Sequence, residues 1–241
     1  MPEELKRLAQ TIGLRRESAA KLVSGGRGLS GSLQIDPCEF LQQAEDDLEA
    51  GGSSARLNAI TNARRAIQSQ VDQILLCFGF QPNALKTRRK LSIFADLGFV
   101  APRMLRRVSD ARNLLEHEYQ SPTQSQVEEA VDLASLFVEA TQRYITVFEG
   151  DFCVGNEEDQ LDSFNFSKQL DVSYDGRDKC FQVWGRVDVI DDAEHGRVIG
   201  KMIVKPGDPS FNDLVRLAVA GGRFQKVKRA LDRFLSRLEA P

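Results

Sequence analysis

The sequence predicts an α+β protein, in which a central antiparallel helical bundle precedes a small three-stranded antiparallel sheet with a C-terminal helix. Two patterns carry that prediction. Between residues 36 and 150 the apolar residues recur at i, i+3 and i+4, the period of an amphipathic helix, whereas from Phe164 to Val204 they alternate with polar ones, the period of a strand. At 241 residues, with 41% hydrophobic and 28% charged content, the chain is long enough to bury a core without covalent staples. Three segments follow: 1–35, an N-terminal helix and a Gly-rich linker; 36–150, the bundle; and 151–241, an α+β unit.

Residues 3 to 24 read as a helix, opened by Pro2 with Glu3 and Glu4 in the first turn and closed by Gly25 and Gly26. The glycine-rich stretch that follows lacks both the preceding strand and the Gly-Lys-Ser/Thr ending of a phosphate loop, so it reads as a flexible linker. In the bundle, Phe40, Leu41, Ala44 and Leu48 stripe a first helix up to Gly51 and Gly52. Ser53 and Ser54 then cap a longer one carrying Leu57, Ile60, Ala63, Ile67, Val71, Ile74 and Leu75. A third helix spans about 84 to 97 with Leu91, Phe94 and Leu97. Pro102 opens a fourth, carrying Met104, Leu105, Val108, Ala111 and Leu115, and Gln124 to Phe148 forms the fifth. Past the acidic stretch 149 to 162, three strands are expected around Phe164 to Tyr174, Phe181 to Val189 and Val198 to Val204, with Asp175-Gly176 as the first hairpin turn. Phe211 to Leu238 supplies an amphipathic cover, interrupted at Gly221-Gly222.

Composition excludes several functional classes. No apolar h-region follows the charged N-terminus and no apolar run reaches membrane-spanning length, so a cytoplasmic protein without a membrane partner is expected. Cys38, Cys77, Cys153 and Cys180 form no C-x-x-C pair and read as buried free thiols, with neither disulfides nor a metal site. No cofactor signature is present. A net charge of −3 makes no global case for nucleic acid. Locally, however, Lys86, Arg88, Arg89, Lys90, Arg103, Arg106, Arg107 and Arg112 face only Asp96 and Asp110. That basic stretch runs into Arg112-Asn113-Leu114-Leu115-Glu116-His117-Glu118-Tyr119.

On a helical wheel with Arg112 at zero, Met104, Val108, Ala111 and Leu115 fall between about 260° and 320° and pack inward. Arg112, Asn113, Glu116, His117 and Tyr119 gather on a polar arc from about −20° to 140°. Such a set suits RNA cleavage, because RNA carries its own nucleophile, the 2′-OH. The reaction needs a group to take that proton, a cation for the phosphorane charge and a donor to the leaving oxygen, and it needs no metal. His117 titrates near neutrality, the planar fork of Arg112 matches a phosphate, and Asn113 can orient either.

The Arg-x4-His-x-Tyr pattern, with Asn directly after Arg, resembles HEPN domains, and especially the toxins of HEPN and nucleotidyltransferase toxin-antitoxin pairs. The resemblance is specific over 102 to 122 and extends by helix order over 36 to 150. It implies a HEPN-like bundle that homodimerises so that two motifs share one cleft, a composite metal-independent endoribonuclease site, and a role in toxin-antitoxin or phage-defence systems. Arg112 and His117 match the essential pair and Asn113 the polar residue after the arginine. Tyr119 matches the tyrosine that a nucleotidyltransferase-type antitoxin modifies with AMP in some members, and Glu116 stands where an apolar residue is frequent. Arg89, Lys90, Arg103, Arg106 and Arg107 are the accompanying RNA-contact candidates.

Blander readings exist for each feature. An arginine and a histidine five residues apart are common on solvated helix faces, and the same fold without the chemistry is a non-catalytic module that binds nucleotide, RNA or a protein. His195, in the turn after Asp191-Asp192, reads as exposed and structural. Phe164, Phe166, Phe181 and Trp184 are possible base-stacking groups, but their strand spacing places them in the sheet core.

Overall fold

A computed structural model of the chain describes residues 3–15, 18–23, 25–31, 33–99, 122–189, 196–220 and 224–239. The chain divides into two compact units. One comprises Met1–Leu29, Asp96–Gly98 and Thr146–Pro241; the other comprises Ser30–Ala95 and Phe99–Ile145. Among the described residues the fold is α+β, with seven α-helices and one five-stranded antiparallel sheet.

The elements of the first unit are α1 (Glu3–Ile12), β1 (Ser18–Leu22), β2 (Phe152–Asn156), β3 (Lys168–Asp175), β4 (Cys180–Val187), β5 (Arg197–Val204), α6 (Phe211–Ala220) and α7 (Phe224–Glu239). The strands lie in sequence order across the sheet, each antiparallel to the next. The expected three-stranded meander is therefore corrected to five strands. The helix expected over 3 to 24 also ends early. Gly13 takes φ +79 and caps α1, its amide and that of Leu14 both donating to the Ala9 carbonyl. Ser18 to Leu22 then pair with Asn156 to Phe152. Residues 1–29 are thus no separate N-terminal segment: they supply one helix and one strand to this unit.

Because β1 and β2 are neighbours, the helical unit is an insertion into one strand pair. The pairing continues beyond the strands to the insertion points: the Val23 amide donates to Asp151 O, and Arg27 and Phe148 exchange two backbone hydrogen bonds of 3.0 and 2.8 Å. The Arg27 guanidinium also pairs with the Asp151 carboxylate.

One face of the sheet is apolar. Val154, Leu170, Val172, Phe181, Val183 and Val204 are buried there, covered by α1 through Leu5, Leu8 and Ile12, and by α6 and α7. Gly185 and Gly200, opposed in register, let Leu8 approach: a Cβ at Gly200 would lie 2.8 Å from Leu8 Cδ2. Phe181 meets Phe211 at 5.4 Å between ring centroids. The Asp175-Gly176 turn is present but longer than a two-residue hairpin: Gly176 to Lys179 connect β3 to β4, and Asp175 Oδ1 accepts from the Arg177 and Asp178 amides.

The second unit holds α2 (Pro37–Ala50), α3 (Ser53–Cys77), α4 (Thr87–Leu97) and α5 (Gln124–Thr146), the last residues of α4 and α5 lying at the unit boundary. Asp36 caps α2 in a reciprocal box with Glu39, and Pro37 fills the first helical position. Gly51 and Gly52, at φ +69 and +86, turn the chain into α3. Of the stripe its sequence predicts, α3 buries Ile60, Ala63, Ile67, Val71, Ile74 and Leu75, while Leu57 is exposed. Phe78, Phe94, Phe99, Phe137 and Tyr144 form the aromatic core, with centroid spacings of 5.1 to 5.7 Å. Among the described residues no helix is long and apolar enough to cross a membrane.

Candidate functional site

The polar arc of the motif lies outside the described residues: Arg103, Arg106, Arg107, Arg112, Asn113, Glu116, His117 and Tyr119 all fall within 100–121, and His195 within 190–195. The described chain fixes both ends of the motif segment within the helical unit. On one side Phe99 is buried against Phe78, Phe94 and Tyr144. On the other Thr123 opens α5 with a reciprocal cap, its Oγ1 accepting from the Gln126 amide while Gln126 Oε1 accepts from the Thr123 amide.

Two of the RNA-contact candidates are described. Arg89 is exposed on α4. Lys90 is half-buried, and its Nζ lies 2.8 Å from Asp72 Oδ2 on α3, so its charge is largely matched inside the unit. Nearby in sequence, α3 carries amides into the core: Gln70, fully buried, donates from Nε2 to Thr141 Oγ1 at 3.0 Å and to Gln142 Oε1 at 3.2 Å. Gln70 Oε1 and Gln73 Oε1 are buried without hydrogen-bond partners among the described residues.

The α+β unit buries charge instead. Asp171 on β3 is 6% exposed. Its Oδ1 accepts from Gln169 Nε2 at 2.7 Å, and its Oδ2 lies 3.2 Å from Arg186 Nε, within ion-pair distance but off the line of a hydrogen bond. Burial pushes this carboxyl up to about 6, against the opposing pull of Arg186 and Gln169. The same desolvation, assisted by the Asp171 charge, pushes the neighbouring Cys153 thiol up to about 12, which leaves it a protonated, unreactive core residue. The loop 157–167 covers these groups. The Cys153 thiol donates to the Phe164 carbonyl at 3.0 Å, the Phe166 amide donates to Gln169 Oε1, and a Cβ at Gly155 would run into the Phe166 ring. Asp162 folds that loop by accepting from the Phe164 and Asn165 amides, which hold its carboxyl below the usual range.

A second buried carboxylate, Asp213 on α6, is 1% exposed and pairs with Arg237 at 2.8 Å and Arg233 at 3.3 Å on α7. Desolvation raises it, although Arg237, Arg233 and Arg216 all favour its charged form.

Sequence reasoning missed both carboxylates. Asp171 sits at an outward position of the strand alternation, and nothing local signals that a loop ten residues upstream covers it. Two further expectations are corrected. Cys38 is exposed, while Cys77, Cys153 and Cys180 are buried. Of the four aromatics placed in the sheet core, Phe166 and Phe181 are fully buried, but Phe164 is 56% exposed and Trp184 is half-buried on the polar face. Among the described residues no three His, Cys, Asp or Glu side chains are grouped to hold a metal ion. No known protein family, curated protein or solved structure matches the chain.

Proposed function

We propose that the protein is a metal-independent endoribonuclease of HEPN type, acting as a homodimer whose two Arg112/His117 pairs flank one scissile phosphate. The observation that supports this reading is the Arg112-Asn113-x3-His117-x-Tyr119 pattern, which lies in sequence between two helices of a unit that is helical among its described residues. The 2′-oxygen attacks phosphorus as its proton passes to one imidazole. The P–O5′ bond breaks, the leaving oxygen takes a proton, and a 2′,3′-cyclic phosphate remains on the upstream fragment. Arg112 holds the non-bridging oxygens where negative charge develops, and Asn113 orients the pair. Arg89, Arg103, Arg106 and Arg107 draw RNA along the same basic stretch, with Lys90 contributing less because Asp72 neutralises it. A nucleotidyltransferase-type antitoxin acting on Tyr119, and a toxin-antitoxin or phage-defence role in the cytoplasm, complete the proposal.

The test is RNA degradation by purified protein in EDTA. Wild type is expected to cleave, and His117→Ala and Arg112→Ala each to lose activity by a factor of 100 or more, corresponding to roughly 3 kcal/mol of transition-state stabilisation. An intact RNA panel with wild-type protein would replace this reading with the non-catalytic binding module. A monomer in solution would remove the composite site.

A further inference from the structure

The sheet of the α+β unit has a second face that no helix among the described residues of that unit covers, and its residues follow from register. Lys21, Cys153, Asp171, Trp184 and Lys201 are opposed in one row across all five strands, so their side chains share that face. The loop 157–167 covers the row at Cys153 and Asp171. Trp184 is half-buried, with Lys201 Nζ 5.8 Å and Arg186 Cζ 5.9 Å from its ring centroid. Phe164, 56% exposed, stands on the covering loop two strands away.

The charges on this face are unevenly spent. Asp171 is matched by Arg186 and Gln169, Asp151 by Arg27 and Ser173, and Asp175 by turn amides. Lys201, by contrast, makes no ion pair among the described residues, and Lys21 is held by the Phe166 ring and a backbone carbonyl rather than by a carboxylate at contact distance. What is left over on the sheet face is cationic and aromatic, while the covering loop adds the acids Glu157, Glu158, Asp159 and Asp162, of which Glu158 pairs with Arg15 and Asp162 acts on Lys21. Every nucleobase offers a π-face to a flat ring, and every nucleotide brings one phosphate charge for an ammonium.

We propose that this face binds single-stranded RNA, with Trp184 and Phe164 as stacking surfaces and Lys201 and Lys21 directed at phosphates. The choice of RNA among anionic aromatic ligands rests on the ribonuclease reading.

Trp184 is the only tryptophan in the chain, so the native protein carries its own reporter. The full chain is titrated with a 2′-O-methyl oligouridylate of about twelve nucleotides, a length within the usual single-strand site size. Its blocked 2′-oxygen prevents cleavage. Saturable quenching of tryptophan fluorescence is expected. By anisotropy of the labelled oligonucleotide, Trp184→Ala should bind roughly tenfold more weakly while Trp184→Phe binds nearly as wild type, and Lys201→Ala should lower the salt slope by about one. Unchanged fluorescence with binding intact, no binding at all, or a Trp184→Ala variant as tight as wild type would overturn the proposal and leave the exposed Val198 and Ile203 edge as a protein-docking surface. Cleavage of unmodified RNA is scored in the same preparations. Quenching without cleavage removes the ribonuclease reading alone, and cleavage without quenching removes this face alone.

Discussion

The two units solve the problem of buried polarity differently. The helical unit satisfies its backbone locally and admits neutral amides to its interior, with Gln70 stapling α3 to α5 through Thr141 and Gln142. The α+β unit buries ionised groups, Asp171 beside Arg186 and Asp213 beneath Arg233 and Arg237. A neutral amide that loses its partner costs one desolvated group, whereas a buried charge that loses its partner must change protonation state or disrupt its surroundings. The helical unit is thus expected to tolerate polar-to-apolar changes and to ignore pH, and the α+β unit to do neither.

The largest expected effect tests that the helical unit depends on apolar packing. Phe137 is fully buried against Phe94, and Phe137→Ala should destabilise by about 3–5 kcal/mol in denaturant melts. Equal loss at pH 5 and pH 8 is the expected pattern. Arg186→Met is the counterpart in the α+β unit: it strands Asp171 and should cost about 3 kcal/mol at pH 8, with much of the loss recovered at pH 5, where the carboxyl is protonated. A pH-independent loss would show that the arginine acts through packing alone.

Asp171 itself gives a signed pH dependence. Its carboxyl stands at about 6 in the folded protein against an ordinary 3.8. Between those values the folded state holds a proton that the unfolded chain has released, so stability falls as pH rises through that window, by about 2–3 kcal/mol in all. Asp171→Asn should flatten this segment of the stability-pH curve; an unaltered slope would assign it to another group. The smallest effect returns to the helical unit. Gln70→Leu should change stability by less than about 1 kcal/mol, because it removes an unpartnered Oε1 along with the donor, while Thr141 retains its bond to the Phe137 carbonyl.

The same contrast governs what was legible in the sequence. Periodicity located α2, α3, α4 and α5 because each helix encodes its own apolar stripe, although in α2 only Ala44 of that stripe is fully buried. The strands that escaped notice depend on remote partners. Ser18-Ala-Ala-Lys-Leu22 is built mainly from good helix formers and becomes a strand by pairing with β2, 130 residues away along the chain, the separation of Leu22 from Phe152. β2 is short and sits among acids that read as loop. Strand spacing places Trp184 in the sheet core with Phe181, but an odd separation from Phe181 puts it on the opposite face. The chemistry of Arg112, Asn113 and His117 was legible only as a pattern of residue types, since 100–121 lies outside the described residues.

The proposed cleavage of RNA by Arg112 and His117 through its own 2′-hydroxyl is read most directly from the ends that it leaves. An end-labelled RNA cut by purified protein in EDTA should yield a 2′,3′-cyclic phosphate, and a single 2′-deoxy substitution at the mapped scissile nucleotide should abolish that cut while His117→Ala abolishes all of them. Products carrying a 5′-phosphate, or cutting that persists at the deoxy position, would contradict it.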